Sequence, residues 1–178
     1  MVTLLIPTDA SEQSVPRMLD VGTAPLIALS GGAGTIHLAV AAEHYREFAV
    51  YGLFFISLGI AQIAWSAFIA IRGLSRPLLL IAAVGNAGIA ALWIVSRTSG
   101  VPIGPEPWVP ESVGFAGIVA TVFEVMLVSS AAWRMAGRPR TPRRWARLAW
   151  GSPVAVSALT IAAIILDVVV HGHNVSPG

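Results

Sequence analysis

The chain has no cysteine and, although 11 of its 178 residues are basic, no lysine; every permanent cation is an arginine. Without thiols there is no disulfide, no thiolate-ligated metal and no cysteine nucleophile, whatever the compartment. Without lysine there is no side-chain amine for Schiff-base chemistry, including attachment of a retinal. Charge of either sign is scarce, at 11% of residues against 56% hydrophobic. A mean hydropathy of +0.77 lies outside the soluble range and makes the bilayer the expected solvent. The pI near 9.9 superficially suggests nucleic acid. The arginines instead cluster in short loops between apolar runs, where they read as topology determinants, so no nucleic-acid partner is expected.

Five apolar runs are long enough to cross about 30 Å of hydrocarbon as helices of about 20 residues. They are Ala24 to Ala42, Phe48 to Ile71, Pro77 to Ser96, Val113 to Met135 and Leu148 to Val170. The expected fold is an all-α integral membrane bundle of five transmembrane helices over 24–170, with a cytoplasmic segment over 1–23 and an extracytoplasmic tail over 171–178. The opening segment carries Pro7, Pro16 and one arginine against three acids, so it lacks the basic flank of a secretory signal. The AVA at Ala39 to Ala41 imitates a cleavage site, but the apolar run before it is broken by SGGAG. No fixed-period repeat or low-complexity tract is present.

Arginine excess in short loops marks the cytoplasmic side. Arg72 and Arg76 lie between the second and third runs, and Arg134, Arg138, Arg140, Arg143, Arg144 and Arg147 between the fourth and fifth. Both loops read as inside. EHYREF, RTSGVPIGPEPWVPESVG and the terminal HGHNVSPG then fall outside, which with five spans leaves the N-terminus in the cytoplasm. The basic loop, with Trp133, Trp145 and Trp150, suits contact with anionic headgroups of the bacterial cytoplasmic membrane.

This topology gathers all four histidines, His37, His44, His171 and His173, at or near the outer face, with Glu43, Glu47, Glu106, Glu111 and Arg97. His37 and His44, seven residues apart, lie within about 20° on one helical stripe but about 10 Å apart along the axis, so they face one neighbouring helix without sharing a mononuclear metal. Glu43, Glu47 or a residue of the fifth helix would have to complete a site around His44. Asp167 and His171, at i and i+4, share a face, the arrangement by which a carboxylate orients an imidazole. Four imidazoles with carboxylates and no thiol suit zinc, copper(II) or iron, and axial imidazoles from the first and fifth helices would suit haem b in an electron carrier. Histidines that merely anchor helices at an interface are the plainer alternative.

Deeper in the membrane lie Glu124, Asn86 and Gln62. An ionisable side chain far from either interface is a functional candidate by default. Counting inward puts Glu124 about 16 Å deep and Asn86 at a similar level, so the two are expected to meet. Gly117, Ala120 and Thr121 share the Glu124 face and would let a neighbour approach. Asn86, Trp93 and Arg97 form a stripe toward the outer end of the third run. SGGAG (Ser30 to Gly34) and GNAG (Gly85 to Gly88) read as small-residue packing surfaces rather than phosphate loops, since neither follows a strand.

The loop SRTSGVPIGPEPWVPESVG, followed by Glu124, and the H-x5-E-H at His37 to His44 resemble a pattern in small uncharacterised bacterial polytopic membrane proteins. The resemblance spans most of the chain and implies the architecture but no activity. Its prolines and glycines suit a compact cap across which Arg97 and Glu111 could pair. Three expectations follow: an outer His/Glu site for a metal ion or metal cofactor, a structural or accessory subunit of a homo-oligomer or membrane complex, and a small transporter. The last has least support, because no internal repeat accompanies the five runs.

Overall fold

The computed structural model describes residues 23–137, 154–166 and 169, and all of their regular structure is helical. Asp167, His171 and His173 lie outside the described residues. Four apolar helices are long enough to span a membrane: α1 (Thr23–Glu47), α2 (Ala49–Arg72), α3 (Arg76–Thr98) and α4 (Phe115–Met135). At 1.5 Å per residue they are roughly 31 to 38 Å long. A fifth apolar helix, α5 (Val154–Leu166), is shorter than a span over the described residues, whereas the sequence run leads one to expect helix from Leu148 to Val170.

The breaks between helices have local causes. A single extended residue, Phe48, separates α1 from α2, and the turn is tight enough that a side chain at Gly52 would collide with Tyr45. Gly73 ends α2 with φ +81°, a left-handed geometry that only glycine adopts without strain. Pro77 then occupies the first turn of α3, where its missing N–H costs nothing. α1 continues past Ala42 to Glu47, because the polar residues of EHYRE end the hydrophobic stretch without breaking the helix.

α1 is the centre of the bundle. It packs along α2 and α4, while α3 packs along α4. The SGGAG stretch makes this packing close. A Cβ at Gly34 would lie 2.8 Å from the Gly59 carbonyl oxygen, and one at Gly59 would lie 2.7 Å from that of Gly34. Ser30 Oγ donates to Gln62 O (3.0 Å) and Ser66 Oγ to Ile27 O (3.1 Å), so the two helices also exchange hydroxyl hydrogen bonds. Gly32 faces Val156 and Thr160 of α5 and Phe123 of α4. GNAG differs from expectation: among the described residues, a Cβ at Gly85 or Gly88 would meet nothing within 4 Å, so these glycines are not packing contacts.

Polarity is inverted relative to a soluble protein. Ile71, Val84 and Ile81 are more than 60% exposed, whereas Ser30, His37, Gln62, Asn86 and Glu124 are buried. Such an apolar exterior is stable against lipid and a liability in water.

Candidate functional site

The C-terminal ends of α1 and α3 and the N-terminal ends of α2 and α4 lie together, capped by the loop over 99–114. The loop folds back on itself through Trp108 N to Val101 O (2.9 Å) and onto the end of α3 through Glu111 N to Ser96 O (2.9 Å). Gly100 holds φ +72° at this reversal, with the Trp108 and Val109 backbone where its side chain would be. Tyr51 of α2 donates its hydroxyl to Ile103 O at 2.5 Å, which ties the cap to the far side of the bundle. Arg97 pairs with Glu111 at 2.5 Å, also bonds Ser96 Oγ, and lies over the Trp93 ring at 5.3 Å.

Beneath this cap is a cavity of about 600 Å³ between α1, α2, α3 and α4. Glu47, Glu106 and Ser112 stand at its mouth, and His37 and Glu124 form its floor. His37 Nε2 and Glu124 Oε1 are 3.0 Å apart; the residues are 5% and 1% exposed. One hydrogen bond satisfies only part of the carboxyl group. Glu124 Oε2 is buried without a partner, as are Trp93 Nε1 and Arg97 Nε on the cavity wall. Unsatisfied buried polar atoms are few in native proteins, and several converging on one cavity mark a place where something polar can bind.

The sequence-derived candidates fall into distinct positions. His37 and His44 do face the same neighbouring helix, and the reason is Phe55: its ring stacks on His44 at 4.4 Å and lies 5.5 Å from His37. His44 also reaches Glu47 at 3.3 Å, and Glu43 lines the cavity beside them. Glu124 does not hydrogen-bond Asn86. Asn86 Oδ1 accepts from Gln62 Nε2 (3.1 Å), while Asn86 Nδ2 donates to Ala82 O (2.8 Å). Counted from the helix ends, Gln62 lies ~20 Å deep and Glu124 ~14 Å, so the amide pair is a separate polar layer below the cavity. Gly117 of α4 admits the Trp93 indole, whose Nε1 would be 2.8 Å from a Cβ there. Tyr51 and Phe55 carry no signal in the sequence beyond membership of an apolar run.

Metal chemistry fares differently. Among the described residues, no three of His, Asp or Glu converge as a metal-binding group. His37 and His44 are each engaged by a carboxylate instead. Asp167, His171 and His173 would have to supply further ligands, and these lie outside the described residues. Comparison with protein-family models, curated proteins and solved structures finds no match to this chain.

Proposed function

We propose that this chain is a multi-pass protein of the bacterial cytoplasmic membrane, N-terminus inside and C-terminus outside, that binds a small polar solute entering from the extracytoplasmic side. The observation that carries the reading is Glu124: a carboxyl group 1% exposed, at the floor of a 600 Å³ cavity, with one oxygen bonded to His37 and the other without a partner. Cavities of roughly 300 to 1,000 Å³ with a few convergent polar groups are the usual form of small-molecule sites. The arginine pattern of the loops supports the orientation.

Binding is favoured over conduction by what lies on the far side of the floor. Leu26, Ile69, Leu79 and Leu127, all 6% exposed or less, lie toward the opposite ends of these helices and belong to an apolar cluster that continues up to the cavity wall at Ile36, Ala116 and Ala120. Among the described residues, polar solutes therefore have a way in at one end only. A transition-metal or haem b site is less well supported, because among the described residues no three His, Asp or Glu side chains converge. A packing subunit without a ligand gives no role to a cavity of this size with an unpartnered carboxyl oxygen at its floor.

The absence of native cysteine makes the test direct. Thr121→Cys, on the cavity wall, should react with a membrane-impermeant thiol reagent added outside intact cells. Leu127→Cys, in the apolar half, should react only after denaturation. An inert Thr121→Cys beside a reactive Glu106→Cys at the mouth would remove the solute site.

A further inference from the structure

We infer that the solute is a small organic cation, a protonated amine carried on an apolar body. The inference rests on reading the cavity as a solute site and names what that site selects. Five carboxylate residues line it, Glu43, Glu47, Glu106, Glu111 and Glu124, against one guanidinium, Arg97. Arg97 is already neutralised by Glu111. Among the described residues no second permanent cation lines the space, and with Glu111 committed to Arg97 the other four acids set a negative field from mouth to floor.

Acidic residues alone would not make a site. The second observation is independent of them as a group: Glu124 Oε2 is buried, unpartnered and at the end of the cavity, where a donor from an ammonium group fits it. The aromatic side chains of Tyr51, Phe55 and Trp93 also line the space. Carboxylate and aromatic surface together are the chemistry that holds alkylammonium groups. A bare metal ion is the poorer occupant, since it needs several donors converging within bonding distance and none of the described groups provides three. The volume also suits a molecule rather than an ion. Trp93 Nε1, a buried donor without a partner, can serve an oxygen on the ligand's body.

Charge-paired thiol reagents test this on the full chain in membranes. Thr121→Cys should react with a trimethylammonium-bearing methanethiosulfonate faster than with its sulfonate analogue, by roughly tenfold beyond the ratio found for a free thiol. Benzylammonium should protect the thiol, and benzenesulfonate should not. Adding Glu124→Gln should reduce both the protection and the rate ratio. Ser112→Cys at the mouth serves as reporter if Thr121→Cys does not fold. Equal normalised rates, or protection by zinc but not by the ammonium, would overturn the cation while leaving the cavity as a site. No reaction with either reagent would instead defeat the solute reading itself.

Discussion

His37 on α1 and Glu124 on α4 meet at 3.0 Å in the interior of the bundle, joining two helices whose sequence separation is 87 residues. Each has few alternatives. His37 is 5% exposed and its other close aromatic neighbour is Phe55; Glu124 is 1% exposed. Breaking one side of a buried pair leaves the other in low dielectric, a loss of about 3 to 5 kcal/mol. His37→Ala should therefore lower the thermal unfolding midpoint in detergent substantially. Glu124→Gln should be milder, because the amide can still accept from or donate to the imidazole. A double-mutant cycle with His37→Ala and Glu124→Ala should show a coupling of about 0.5 to 3 kcal/mol. Strict additivity would mean that the two side chains do not interact in the folded protein.

This pairing also marks where sequence reading stopped. Helix positions were legible, since Phe48 to Ile71, Pro77 to Ser96 and Val113 to Met135 match α2, α3 and α4 to within a residue or two. The inward polar groups were legible too, because charged and amide side chains are conspicuous in such runs. Partner choice was not. With α1 taken to end at Ala42, His37 stands about 8 to 10 Å from the helix end and Glu124 about 16 Å from its own, so they look mismatched. The five further residues to Glu47 set His37 ~15 Å deep, level with Glu124 at ~14 Å from Phe115. With the true helix ends, His37 is level with Glu124, while Asn86, about 18 Å from Thr98, lies deeper with Gln62. The GNAG glycines failed for a related reason: composition shows that a face is small, not what lies opposite it.

The glycines of α1 and α2 give a contrasting pair of expectations. Gly34→Ala or Gly59→Ala places a methyl group 2.7 to 2.8 Å from a facing carbonyl oxygen, closer than any ordinary contact. The helices must separate, weakening the Ser30 and Ser66 hydrogen bonds, and overpacking of this kind costs about 1 to 3 kcal/mol. Gly85→Ala meets nothing among the described residues and gains helix propensity of about 0.5 to 1 kcal/mol. Thermal melts in one detergent should move in opposite directions for the two substitutions. A shift of equal sign and size would show that the α1–α2 contact is not close.

The cap should be held by its arginine. Arg97 ties α3 to Glu111 and stacks on Trp93, so Arg97→Ala releases the loop at its base. Both partners are partly exposed, which keeps the contribution to global stability small. The effect belongs in local protection: amide exchange over residues 99–114 should speed up while exchange in the helices does not. Glu111→Gln should give a weaker form of the same change. Unchanged exchange in Arg97→Ala would assign the cap to its backbone hydrogen bonds and the Tyr51 tether alone.

The orientation can be tested without the solute. Arg72 and Arg76 flank the turn between α2 and α3, while the loop over 99–114 and the turn at Phe48 carry more acids than arginines. On the proposed orientation Gly73 is cytoplasmic and Glu106 outside. Single cysteines suit this well, because no native thiol competes. Glu106→Cys should react with an impermeant maleimide in intact cells, and Gly73→Cys only after permeabilisation. Replacing Arg72 and Arg76 by glutamine should weaken the bias and produce a mixed population, with partial labelling at both positions. The reverse labelling pattern in the single-cysteine chains with Arg72 and Arg76 intact would turn the cavity toward the cytoplasm. The His37–Glu124 pair and the carboxylate-lined space would stand, but the solute would then have to come from inside the cell.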